Sequence, residues 1–189
     1  MGAQLATLYL VRHAKPASTS GDSVDPGLDE TGRTQAVRAA DELKKLPNRL
    51  PVYTSPLRRC RETAQPLAEI WGVQPIVFPE IGEIPSPPLS LSERQQWLRD
   101  AMASDWANLQ ASAPAGSPDY DGWRRTLIDS LSAMAGDAVI FSHFVAINTA
   151  IGAAKGSEQV ITFKPDHASI TLIDTGTGQL VLKSLGREV

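Results

Sequence analysis

The chain has 189 residues, 42% hydrophobic and 21% charged, with a formal net charge of −3 and a sequence pI near 5.6. That length suits a single domain with a full core. The acidic balance supplies no basic stripe for nucleic acid, and no apolar run approaches the roughly 18 residues needed to cross a bilayer. The single cysteine, Cys60, excludes an intramolecular disulfide and points to a reducing, cytoplasmic setting.

The first element, residues 5–11, is short, apolar and bounded by charge, and reads as a buried strand that starts too soon to leave room for a signal peptide. A helix follows from residue 29 to about 46, its Ala36, Val37, Ala40, Leu43 and Leu46 at helical spacing and Pro47 beyond it. Residues 51–54 form a second strand. Ser55 then caps a helix with Pro56 at its first position, running to about Trp71 and closed by Gly72. A third strand is expected at 74–78.

The texture changes from about 79 to 118. Pro85, Pro87 and Pro88 forbid regular structure, after which Ser90 or Ser92 caps a helix through Trp97, Met102 and Trp106. A further helix at about 119–135 carries Trp123, Leu127 and Leu131. Residues 137–141 return to a strand, 145–154 form a helix, 159–163 a strand, and 170–173 with 179–183 a hairpin around 174–178. The alternation of strand and helix implies one α/β domain over 1–189. Its expected form is three-layer αβα around a mostly parallel, mixed sheet, with a small helical cap inserted at 79–118 and extending into the 119–135 helix.

Of only three histidines, two directly follow apolar strands: Val11-Arg12-His13-Ala14 and Phe141-Ser142-His143-Phe144. Ligands of open α/β sheets bind beyond the carboxyl ends of the strands, so both imidazoles are expected at one crevice. The second strand leads into Thr54-Ser55-Pro56-Leu57-Arg58-Arg59-Cys60-Arg61, a helix N-terminus with three arginines about 100° apart per residue, of which one or two face the crevice. Two imidazoles, at least two guanidiniums and a helix N-terminus describe an anion site. A zinc site would want three or four ligands at local spacing, which the sequence lacks, so no metal and no cofactor are expected.

These segments resemble, in order, the signatures of the histidine phosphatase superfamily, also called the phosphoglycerate mutase-like family. Leu8 to Ala14 resembles its Arg-His-Gly strand end, and Leu28-Asp29-Glu30-Thr31-Gly32-Arg33-Thr34-Gln35-Ala36 its Leu, Gly, Gln-Ala stretch. Tyr53 to Ala64 resembles its Ser-x-Leu-x-Arg segment, and Ser142-His143 its Ser-His-Gly segment. The resemblance implies that His13 is the nucleophile that becomes phosphorylated. It implies also that Arg12 and Arg59 bind phosphoryl oxygens, that His143 helps neutralise them, and that Glu83, in Ile81-Gly82-Glu83, is the general acid, with Glu80 the alternative. Substrate contacts are expected from Ser18 or Thr19 (Thr19 stands at the family's asparagine), from Arg58, from Phe144, which replaces a glycine, and from His167 in the loop before the hairpin. Ala14 also replaces a glycine, and Ile84-Pro85-Ser86-Pro87-Pro88 replaces the family's Gly-x-Trp-Glu-Gly run. Cys60 reads as core packing.

The implied activity is metal-independent hydrolysis of a phosphomonoester through a phosphohistidine, on a small molecule or a phosphoprotein, with no nucleic acid or membrane partner. The alternatives are a phosphoglycerate mutase-type phosphoryl transferase, whose branch carries a longer inserted segment, and a catalytically weak module that binds phospho-ligands. A Ser-His-Asp hydrolase is disfavoured, since no Gly-x-Ser-x-Gly turn is present.

Overall fold

The computed structural model describes residues 5–17, 25–176 and 178–188. A six-stranded sheet forms its centre: β1 (Ala6–Arg12), β2 (Val52–Thr54), β3 (Ile76–Val77), β4 (Ala138–Ser142), β5 (Ile170–Gly176) and β6 (Gln179–Ser184), ordered β3-β2-β4-β1-β5-β6. β1 to β4 run parallel, β5 pairs antiparallel with β1, and β6 antiparallel with β5. The helices among the described residues are α1 (Glu30–Leu43), α2 (Arg58–Trp71), α3 (Leu91–Met102), α4 (Trp106–Ala111), α5 (Tyr120–Ser132) and α6 (Phe144–Lys155). None is long and apolar enough to cross a membrane. This is the mixed α/β sheet that the sequence leads one to expect.

Alternation along the strands divides the core into two layers. Val11, Val139 and Phe141 pack against Ala36, Ala40, Ala64 and Leu67 of α1 and α2. Leu8, Leu10 and Ile140, one residue out of phase, pack against Leu127 and Leu131 of α5 and Ile147 and Ile151 of α6. β4 lies between both layers, and all five of its residues are buried, as a central parallel strand requires. A third apolar cluster joins Trp97, Leu98 and Met102 of α3 to Trp106, Tyr120, Val145 and Val160. Gly32 admits the close approach of α1 to the segment after β1: a Cβ there would lie 2.1 Å from the Lys15 carbonyl oxygen.

Several element boundaries differ from expectation. α1 ends at Leu43 rather than 46, because Lys45 and Leu46 donate to the carbonyls three residues back and tighten the last turn. α2 starts at Arg58 with Leu57 as its N-cap; Ser55 Oγ is engaged elsewhere, with His143. Trp106 does not continue α3. Asp105 accepts from Asn108 N–H and starts α4 afresh, while Trp106 N–H donates to Glu158 O. Residues 159–163 are not a strand: Thr162 and Phe163 N–H both donate to Asn148 Oδ1 of α6, and Val160 N–H to Ser104 O, so their donors are satisfied without a ladder. β5 extends to Gly176, since Asp174 and Thr175 pair with Thr7 and Ala6 of β1, so the hairpin turn is shorter than expected. β3 shrinks to two exposed residues at the sheet edge.

Candidate active site

The C-terminal tips of β1, β2 and β4 lie side by side, and the chain leaving each is pinned to its neighbour. His13 N–H donates to Ser142 O at 2.9 Å, Ser55 N–H to Phe141 O at 3.0 Å, and Arg12 N–H to Ser169 O at 3.1 Å. The next side chains therefore converge on one cleft of about 660 Å³, whose lining includes Arg12, His13, Arg59, Glu83 and Phe144.

His13 is 6% exposed. Its Nδ1 lies 2.9 Å from Ala14 O. A carbonyl only accepts, so Nδ1 carries the proton and Nε2 keeps its lone pair. The same reasoning fixes His143, whose ring centroid is 5.3 Å away. A guanidinium only donates, so Nδ1 accepts from Arg59 Nη2 at 3.1 Å and Nε2–H donates to Ser55 Oγ at 2.8 Å. Burial, with the neighbouring His13, Arg59 and Arg12, holds His143 well below the usual imidazole range. Burial first and Arg59 second do the same for His13. Both rings are neutral near pH 7. Cys60 Sγ is buried 3.3 Å from His143 Nε2, and its thiol is pushed up by that burial.

Arg12 donates from Nη1 to Pro165 O at 2.8 Å and from Nη2 to His167 Nε2 at 3.1 Å, and its guanidinium carbon sits 4.8 Å from the Phe144 ring centroid. Its Nε is buried with no partner among the described residues. His167 is half-buried and lowered to about 4, by burial and then by Arg12; its ring is 5.9 Å from that of His13. The neighbouring Ala168 holds a left-handed φ of 56°, fixed by an N–H bond to Arg12 O. Thr63 Oγ couples α2 to the segment that carries His13, accepting Ala14 N–H at 3.0 Å and donating to Arg59 O at 2.6 Å.

Glu83 follows a short 3-10 turn, Pro79–Ile81, which is anchored by Ser142 Oγ donating to Ile81 O at 2.7 Å. Its Oε1 accepts Ile84 N–H at 3.0 Å and Val145 N–H, at the start of α6, at 3.2 Å. Burial nevertheless raises its carboxyl above the ordinary range, against the opposing pull of these N–H groups and of Arg59 and Arg12. Oε1 takes the two shorter bonds, while Oε2 accepts Val145 N–H only at 3.5 Å, so the proton of the acid form belongs on Oε2. Glu80 does not line the cleft.

The structure thus gathers Arg12, His13, Arg59, Glu83, His143, Phe144 and His167. Arg58 does not join them: its side chain is 62% exposed and pairs with Glu62 at 2.6 Å, because consecutive helical residues diverge. Ser18 and Thr19 lie outside the described residues. Sequence reasoning missed three participants. Ser55 reads as a helix cap but holds His143. Asp25 accepts Arg58 N–H at 2.9 Å and lies 4.0 Å from Arg59 Nη1, so a carboxylate occupies the α2 N-terminus. Arg94 of α3 lines the cleft with Leu98 and Met102, four and eight residues on, a periodicity that was there to be read. Among the described residues no group of three or more His, Cys, Asp or Glu is placed to hold a metal ion.

The profile of the histidine phosphatase superfamily (branch 1) matches residues 8–188. A probable phosphatase of Schizosaccharomyces pombe is 35% identical over 78 residues, which are 39% of this chain and 37% of that protein, so the chain matches little more than a third of this relative. By fold, phosphoglycerate mutase from Bacillus anthracis superposes with a TM-score of 0.73 at 18% identity, covering 97% of this chain and 94% of that one. A mycobacterial glucosyl-3-phosphoglycerate phosphatase gives 0.70 at 21% identity, with 98% and 100% covered.

Proposed function

The chain belongs to the histidine phosphatase superfamily, and from that membership and the site geometry we propose that it hydrolyses a phosphomonoester through a phosphohistidine at His13. The observation that carries this reading is the committed Nδ1–H of His13, which leaves Nε2 as a fixed lone pair on the wall of a cleft flanked by Arg12 and Arg59. Nε2 attacks phosphorus, and the N–P bond forms as the bond to the ester oxygen breaks. Arg12 and Arg59 hold the equatorial oxygens, supplying the charge that phosphoryl transfer requires. His143 positions Arg59 through its Nδ1. Glu83 delivers the Oε2 proton to the departing oxygen. Water then attacks the phosphohistidine, gives its proton to the Glu83 carboxylate, and releases inorganic phosphate with His13 neutral again. The fold likeness includes both a mutase and a phosphatase, so the test must separate them. The purified protein is expected to release phosphate from p-nitrophenyl phosphate in EDTA without a primer. A requirement for a bisphosphate primer, with interconversion of monophosphates, would assign transfer instead. Phosphate-dependent thermal stabilisation without turnover would assign a binding module.

A further inference from the structure

α3 carries two arginines in contrasting settings. Arg99 donates to Gln96 Oε1 at 2.6 Å, and Gln96 donates to Asp100 Oδ1 at 2.8 Å, so the polar groups of the outer face satisfy one another. Glu93 is held in the capping box of Ser90. Arg94 lies instead on the face that presents Trp97, Leu98 and Met102 to the cleft, three, four and eight residues further on. Its Nε is buried with no hydrogen-bond partner among the described residues, and the acidic residues of α3 are engaged elsewhere. A guanidinium drawn partly out of water without a partner is costly unless a ligand completes it.

The charge of the cleft points the same way. Three guanidiniums line it, Arg12, Arg59 and Arg94, against one carboxyl, Glu83, among the described lining residues. Two suffice for a phosphoryl dianion beside His13. The third comes from a different wall, and the apolar side chains of Trp97, Leu98 and Met102 accompany it there.

Building on the phosphomonoesterase reading, we propose that the substrate is a phosphomonoester with a second anionic group at the far end of an apolar leaving group. Arg94 binds that second anion, a carboxylate or a phosphate, while Trp97, Leu98 and Met102 hold the apolar body. The chemistry of the bond broken is unchanged. What Arg94 adds is a choice among leaving groups.

The test compares the phosphate ester of p-hydroxyphenylpropanoate with that of its primary amide, two substrates whose phenol leaving groups are nearly identical because two methylenes insulate the ring. Wild-type kcat/KM should favour the acid by about tenfold, expressed mainly in KM, as one charge-assisted contact would give. Arg94→Gln should bring the ratio close to one, while Arg94→Lys retains most of it. Replacing the carboxylate by a phosphonate in a third substrate tells which anion the site prefers. An acid-to-amide ratio near one in the wild type overturns the proposal, as does a ratio that survives Arg94→Gln. Equal loss on both substrates also overturns it, and would place Arg94 on the phosphoryl group instead. Calorimetric titration of the same pair into the His13→Ala protein reads the preference as a ratio of Kd values. The inference is thereby decided even if no phosphate ester is turned over, the outcome that would sink the phosphatase reading itself.

Discussion

At the strand-tip end of the cleft, the functional side chains leave backbone positions hydrogen-bonded to the next strand, as His13 is to Ser142 and Ser55 to Phe141. The wall formed by α3 has no strand to lean on. It is held by packing, with Trp97 stacked on Tyr120 at 5.9 Å and Leu98 and Met102 set against the same cluster. The first arrangement suits chemistry that tolerates little displacement of reacting atoms. The second suits selection, since side chains on a packed helix face can change without moving His13. Substitutions at the two ends should therefore differ in kind as well as in size.

The largest loss is expected at His13, the proposed nucleophile. His13→Ala should reduce p-nitrophenyl phosphate hydrolysis by about four orders of magnitude or more, measured as kcat. Hydrolysis near the wild-type rate would remove His13 from the chemistry. Arg59→Ala comes next. It removes a donor to the phosphoryl group and also uncovers His143 Nδ1, so kcat/KM should fall about 10²- to 10³-fold.

Glu83→Gln should cost about 10²-fold on an alkyl phosphate and less on p-nitrophenyl phosphate in the first step, because nitrophenolate leaves without a proton. The pH profile sharpens this. His13 must be neutral to attack, and its pKa is held well below 6.5, so the ascending limb lies on the acid side of that value. Glu83 must be protonated to donate, and its pKa is raised above 4.5, so activity should fall as pH rises through that raised value. The variant should lose this descending limb. A limb that persists in Glu83→Gln assigns the acid to another group.

Smaller effects are expected from the supports. Trp97→Ala loosens the α3 wall and should raise KM several-fold with a lesser effect on kcat, the reverse of the split at His13. Ser55→Ala removes the acceptor of the buried His143 Nε2–H. Only the weak acceptor Cys60 Sγ, 3.3 Å away, is then left to that N–H, so a cost of about 1 kcal/mol follows, read as a fall in Tm of about 2–4 °C in a chain of this size.

How much of this was legible in the sequence follows the same division. Arg12, His13 and His143 could be found because each occupies the tip of a strand whose apolar run is local, and the sheet topology brings such tips together. Arg59 was separable from Arg58 and Arg61 through the resemblance, not through helical phase alone. Glu83 sits two residues past the turn that Ser142 anchors, a link carried by no local signal. Residues 159–163 show why long-range polar contacts defeat periodicity: Val160, Ile161 and Phe163 have a strand's composition, but one amide of α6 claims the Thr162 and Phe163 backbone donors and Ser104 O takes that of Val160. The break between α3 and α4 is similar. Trp97, Met102 and Trp106 suggest one helix, but Asp105 competes as a cap and Glu158 takes the next N–H. Asp25 at the start of α2 lies 33 residues away in sequence, beyond the reach of any local pattern.

Rapid acid-free quenching of the wild-type protein during turnover, followed by phosphorus NMR and peptide mapping, tests the central claim most directly. The mechanism predicts a phosphoramidate on His13, stable to alkali and labile to acid, that Glu83→Gln accumulates and His13→Ala cannot form. Turnover with no phosphorylated protein, or with the label on a hydroxyl or carboxylate side chain, would contradict it.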